Sequence, residues 1–190
     1  MRNKYILLRH GQTIYQARGW NVFYPDDNIV SLTKKGKRQI RIAAKKLKNK
    51  NIDFIYSSDF LRTRQTAEIV AEELGLRIKL DKRLRDVDVG VYKGKKGEEF
   101  WSIFSSKKQR FSKRPPKGES WRDVKKRLKN FIKDIEKKHR NRTILIVTHA
   151  DPVWLLAGYF KGLTEEELLK KRYIGPGGLW PDVGQFILCQ

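Results

Sequence analysis

Apolar residues follow two rhythms along this chain. Unbroken runs at Tyr5-Ile6-Leu7-Leu8, Phe54-Ile55-Tyr56 and Thr143-Ile144-Leu145-Ile146-Val147 predict buried strands, and shorter stretches near 77–80 and 184–188 predict two more. Between them, apolar positions recur three and four residues apart. Ile40, Ala43, Ala44 and Leu47 predict a helix over 34–49, and a cap at Ser57-Ser58-Asp59 opens another over 60–74 that stops at Gly75. Ser120 starts a long helix to about 138 whose stripe is Trp121, Val124, Leu128, Phe131, Ile132 and Ile135. Asp151-Pro152 reads as an N-cap followed by a first-turn proline, opening a helix to about Phe160, with a further helix over 164–171. Strands alternating with helices predict an α/β fold, a mostly parallel sheet covered on both faces.

Three stretches break the rhythm. Residues 14–31 read as a loop carrying Tyr15, Trp20, Phe23 and Tyr24 and the turn signal Pro25-Asp26-Asp27-Asn28. Residues 86–120 hold Gly90, Gly94, Gly97, Pro115, Pro116 and Gly118 around one small amphipathic piece, Phe100 to Phe104, and read as a lid-like insertion in a single domain spanning 1–190. Gly175, Gly177 and Gly178 mark a third loop. Packing is the reading preferred for the loop aromatics Tyr15, Trp20, Tyr24, Trp101 and Phe104.

The 190 residues, 39% of them hydrophobic, suffice for a core and exclude the disordered class. Charge changes the picture more: 43 Lys and Arg face 21 Asp and Glu, a net +22. Between Lys107 and Arg142 there are 16 basic residues against four acidic ones. Such a field favours anionic partners, among them small phosphorylated substrates, RNA or another polyanion. The single Cys189 supports no internal disulfide, and no stretch has the ~20 apolar residues of a spanning helix, so no membrane association and a cytoplasmic location are expected. Oligomeric state is not legible.

Two of the three histidines, His10 and His149, stand just past strand-like runs, where open α/β sheets put their ligands. Neutral imidazole is a good nucleophile towards phosphorus, and the guanidinium of Arg9 supplies a planar fork for phosphate oxygens. No Cys and His cluster suggests zinc, and neither a metal nor a cofactor is expected. His139, amid Lys137, Lys138 and Arg140, reads as a solvated helix end.

Arg9-His10-Gly11, Leu32-Thr33 with Gly36 and Gln39, the block from Ser57 to Ala67, Gly118-Glu119-Ser120 and Thr148-His149 together resemble the ordered motifs of the histidine phosphatase superfamily, which has the phosphoglycerate-mutase-like fold. The resemblance implies a three-layer α/β/α sandwich and a metal-independent phosphomonoesterase. It implies that His10 is transiently phosphorylated, that Arg9, Arg62 and His149 hold the phosphoryl oxygens, and that a carboxylate within Leu84 to Gly90 protonates the leaving alcohol. Asp86 takes that place here where relatives most often have glutamate, with Asp88, Glu98 and Glu119 as substitutes. Gln16 stands for an asparagine of the phosphate pocket. Asp151 stands where glycine is common, and capping the helix would turn it away from bound phosphate. Of Arg62 and Arg64 the spacing selects Arg62, while Arg83 and Arg85 read as solvated, with contact to substrate as the alternative, and Asp88 as a structural acceptor. Phosphoglycerate-mutase-type transfer and a weakly active module binding RNA or phosphoprotein are the rivals.

Overall fold

The apolar runs form strands β1 (Lys4–Arg9), β2 (Phe54–Ser57), β3 (Ile78–Leu80), β4 (Thr143–Thr148) and β5 (Phe186–Cys189) of one sheet, ordered β3-β2-β4-β1-β5 in the computed structural model. All pairings are parallel except that of β5, which runs antiparallel to β1 at the edge. Residues 1–25, 27, 29–172 and 178–189 are described. Gly175 and Gly177 of the glycine loop, and Asp26 and Asn28 of the turn signal, lie outside them.

Helices cover both faces. On one, α2 (Lys34–Leu47) and α3 (Leu61–Leu74) pack Ile40, Ala44, Leu47, Ala67 and Val70 against Ile6, Leu8, Leu145 and Val147. On the other, α5 (Trp121–Lys138) and α6 (Ala150–Phe160) cover Tyr5, Leu7, Ile144 and Ile146. Successive strand residues thus serve opposite layers of an α/β/α sandwich, which is why the middles of the central strands are unbroken apolar runs. Ser120 caps α5 by accepting from Asp123 N, and Gly75 ends α3 at φ +66°, in the left-handed region. Helix α7 (Glu165–Lys170) follows α6. No helix among the described residues is long and apolar enough to cross a membrane.

Four details differ from expectation. The N-cap of α3 is Phe60, which makes no side-chain cap hydrogen bond, and not a residue of Ser57-Ser58-Asp59. The 14–31 stretch contains a four-residue helix, α1 (Ile14–Ala17). Asp151 is not the N-cap of α6: extended backbone continues through His149 (φ −116°, ψ 174°), which takes that position, and Asp151 already lies in the first turn. Pro152 is then the third helical residue, still among those whose N–H has no intrahelical partner. His139 caps the end of α5, half-buried, its ring 4.1 Å from that of Phe54 and its Nε2 2.9 Å from the Tyr56 hydroxyl, so it is packed and not solvated.

Within 86–120, α4 (Gly97–Trp101) and two 3-10 turns gather Val89, Phe100 and Phe104 into a small apolar cluster of their own, joined by Phe23 and Tyr92.

Candidate active site

The register Arg9↔Thr148 between β1 and β4 brings the next residues, His10 and His149, side by side beyond the strand ends. His10 N donates to Thr148 O at 3.0 Å, and the imidazoles meet edge-on with centroids 5.3 Å apart. The loop after His10 is held by α2 and α3. Thr33 N donates to Gln12 O (2.9 Å), Gln12 N to Gln39 Oε1 (3.1 Å) and Gly11 N to Thr66 Oγ1 (3.2 Å). Gly36 lets α2 come this close, since a Cβ there would stand 2.2 Å from Gln12 O. The spaced motifs in the sequence are the contacts that hold one loop.

His10 is 2% exposed, and its Nδ1 lies 2.8 Å from Gly11 O. A carbonyl only accepts, so Nδ1 carries the proton and Nε2 keeps the lone pair. Burial, then the guanidinium charges of Arg62 and Arg9, hold the His10 pKa well below the ordinary histidine value, so the ring is neutral. The fully buried His149 is depressed by burial, Arg62 and His10; its Nε2 pairs with Ser58 Oγ at 3.0 Å.

Arg62 and Arg64 separate as the spacing implies: on α3 the former is fully buried and the latter exposed. The Arg62 guanidinium lies between the rings of Tyr24 (4.5 Å) and Phe60 (5.2 Å). Its Nη1 is 2.8 Å from Asp27 Oδ1, an ion pair lying off the N–H direction. All three Arg62 nitrogens, Arg9 Nε and His149 Nδ1 are buried without an aligned hydrogen-bond partner among the described residues. Arg9 Nη1 donates to Pro181 O at 2.9 Å.

Asp86 faces this group. Its Oδ2 stands 3.7 Å from both Arg62 Nη2 and His149 Nδ1, and Oδ1 accepts from Val87 N. Burial, then the charge of Asp151, raises its pKa to about 7, against the opposing pull of Arg62. The other carboxylates are committed or distant: Asp88 Oδ1 accepts from Gly90 N and lies 3.3 Å from Lys93 Nζ, Glu119 is forked to Arg127 at 2.9 Å, and Glu98 is exposed. Asp151 turns to Arg172, 3.8 Å away, where the cap reading sent it to the helix end.

Arg127 of α5 holds the segment that carries Asp86. It donates to the carbonyls of Arg83 (2.6 Å), Arg85 (2.9 Å) and Asp86 (2.8 Å). Sequence reasoning missed it, because one more basic residue on a basic helix carries no signal. Arg83 and Arg85 are ion-paired to Asp81 with Asp134 and to Asp59 respectively, and are not free in solvent.

Two cavities adjoin Asp86. The larger, about 420 Å³, is lined by Lys82, Arg85, Lys93 and Arg127 together with Asp88 and Glu119; the smaller, about 220 Å³, by Tyr15, Trp20 and Tyr24 with Gln16 and Asp151. The three aromatics therefore line a cavity, whereas Trp101 and Phe104 pack. Gln16 does not reach into the histidine pair: Oε1 accepts from Thr13 N (2.7 Å) and Nε2 donates to the Tyr24 hydroxyl (3.1 Å). Among the described residues no group of three or more His, Cys, Asp or Glu is placed to hold a metal ion.

A phosphoserine phosphatase of Hydrogenobacter thermophilus is 31% identical over 157 residues, 79% of this chain and 72% of that protein. A 2,3-bisphosphoglycerate-dependent phosphoglycerate mutase of Thermoplasma acidophilum is 32% identical over 163 residues, 85% and 78% of the two chains. Among solved structures, Bacillus stearothermophilus YhfR superposes with a TM-score of 0.77 at 27% identity, covering 92% of this chain and 88% of its own. The model for branch 1 of the histidine phosphatase superfamily matches residues 5–177, and the chain belongs to that superfamily.

Proposed function

We propose that this protein is a metal-independent phosphoric monoester hydrolase working through a phosphohistidine on His10. The observation that carries the reading is the cluster of buried nitrogens of Arg9, Arg62 and His149 that have no aligned hydrogen-bond partner among the described residues, beside a neutral imidazole whose Nε2 lone pair is free by tautomer. Those donors suit the three equatorial oxygens of a phosphoryl group in transfer. His10 Nε2 attacks phosphorus in line, the bond to the leaving oxygen breaks, and Asp86 delivers its proton to that oxygen. Water then attacks the phosphohistidine, Asp86 takes the water's proton, and phosphate leaves with His10 restored. Asp86 is one methylene shorter than glutamate, and its raised pKa suits an acid that must be protonated near neutrality.

The substrate we infer is a small phosphomonoester with a charged leaving group. The larger cavity mixes four basic with several acidic side chains, and two of the enzymes similar to this chain are named for phosphoserine and phosphoglycerate. Segment 86–120, the proposed lid, contributes Asp88, Lys93 and Glu119 to that cavity.

Hydrolysis of an aryl phosphate and of phosphoserine, with chelator present and at low salt, tests the reading on the native chain and His10→Ala. Activity that survives chelation and vanishes in the variant is expected; equal rates in both refute it. Supplying 3-phosphoglycerate with its bisphosphate separates hydrolase from mutase, because only a mutase returns the isomer faster than free phosphate.

A further inference from the structure

The carboxylate of Asp27 belongs to none of the motifs shared with the superfamily, yet it sits on the guanidinium that the proposed reaction needs. Its Oδ1 is 2.8 Å from Arg62 Nη1, its side chain is 16% exposed, and Arg62 is fully buried between Tyr24 and Phe60. It also lines both cavities beside Asp86, so that the polar chamber and the aromatic one meet at these two carboxyls.

We propose that Asp27 is a positioning and selectivity residue of this site: its carboxylate occupies Arg62 in competition with the phosphoryl group, and only a ligand offering Arg62 more negative charge in better alignment displaces it. This rests on the reading that Arg62 holds the phosphoryl oxygens. The pair is close but off the N–H direction, and Arg62 has no aligned hydrogen bond among the described residues. A phosphoryl group can engage the fork through two parallel N–H···O bonds, which a misaligned carboxylate does not. Two anions cannot share one fork without repulsion, so binding and displacement are one exchange.

Asp27 also bears on the acid. Among the described residues the charged and titratable groups facing Asp86 are Arg62 of α3, His149 and Asp151 at the start of α6, Tyr24 and Asp27 of the 14–31 stretch, Arg9 at the end of β1, Arg127 of α5, and Lys82, Arg85, Asp88, Lys93 and Glu119 around the larger cavity. Asp27 is one of two carboxylates there that favour a protonated Asp86. Removing its charge should therefore shift the alkaline limb of the rate profile to lower pH.

The test is calorimetric binding of inorganic phosphate at pH 8 to the native chain, Asp27→Asn, Asp27→Glu and Arg62→Ala, with aryl phosphate pH profiles of the first three. Asp27→Asn should bind phosphate about tenfold tighter, roughly the effect of removing one competing partner from a largely buried charge. Its alkaline limb should fall, and Asp27→Glu, which keeps the charge, should stay near native on both readouts. Phosphate affinity unchanged or weaker in Asp27→Asn, with binding lost in Arg62→Ala, overturns the role of Asp27 and leaves the site reading standing. Native affinity in Arg62→Ala overturns the site reading itself. If Asp27→Asn does not fold, Asp27→Ser carries the same expectation; lowered thermal stability with neither readout moved assigns Asp27 a purely structural role and overturns the proposal.

Discussion

Replacing Asp86 by asparagine should abolish activity and stabilise the phosphate-free protein at alkaline pH. The carboxyl has an ordinary pKa of 3.8 and one of about 7 in the fold, where burial and Asp151 oppose its charge. A raised acid pKa means that the native state binds the proton more tightly than the unfolded chain. The associated stability is complete below the unfolded value and is lost as pH rises through 7. Between pH 5 and 8.5 the native protein crosses about two pH units of that window at roughly 1.4 kcal/mol each, a loss near 3 kcal/mol from this group alone. The asparagine side chain has nothing to titrate, so Asp86→Asn should gain about that much on the native protein over the interval, or roughly 6–12 °C in Tm at this chain length. Urea unfolding in phosphate-free buffer at the two pH values, on both proteins, measures it. Parallel pH dependence in the two would show that Asp86 is ionised in the fold at neutral pH, and the general-acid assignment would fall with it.

Arg127→Ala should lower kcat about 10–100-fold with a smaller change in KM, because it releases the carbonyls that hold Asp86; Arg127→Lys, lacking the planar fork, should not restore kcat or the alkaline limb of a pH profile. Gly36→Ala should cost about 1–3 kcal/mol in chemical denaturation and lower turnover, since its Cβ meets the backbone that carries the His10 loop. With a net charge of +22, kcat/KM for a dianionic substrate should fall steadily with added sodium chloride while kcat holds; a flat response would mean that the surface field does not steer substrate.

The layers were legible because the strand runs face two cores at once, Ile6 and Leu8 going to one and Tyr5 and Leu7 to the other, while each helix stripe faces a single core. His10 and His149 were legible as neighbours because motif spacing in a parallel sheet becomes adjacency at strand ends, and Arg62 because the helix that follows β2 begins at the same edge of the sheet. The cap of α6 was misread because Asp before Pro is a strong local signal, overridden here by β4 pairing that carries extended backbone one residue past the strand. Asp27 and Arg127 were invisible for opposite reasons. The one sits in a turn signal, where aspartate is common for local hydrogen bonding; the other repeats the charge of a helix already full of it. Neither local pattern says which distant group the side chain meets.

The same physics explains why this site conflicts with the rest of the fold. Elsewhere most polar groups are partnered: Ser120 caps α5, Asp53 accepts from Thr143 N, and Arg127 is satisfied by three carbonyls and Glu119. Around His10, five of the eight buried unpartnered side-chain atoms found among the described residues belong to Arg9, Arg62 and His149. A buried donor without an aligned partner costs about 1–3 kcal/mol, more when charged, and at Arg62 the off-axis ion pair with Asp27 offsets only part of it. The cost is tolerable if an anion of the right shape recovers it, and inorganic phosphate should then raise the unfolding temperature with concentration in the native protein but not in Arg62→Ala. Stabilisation by phosphate equal in both would mean that it acts on the basic surface, and the donors around His10 would need another explanation.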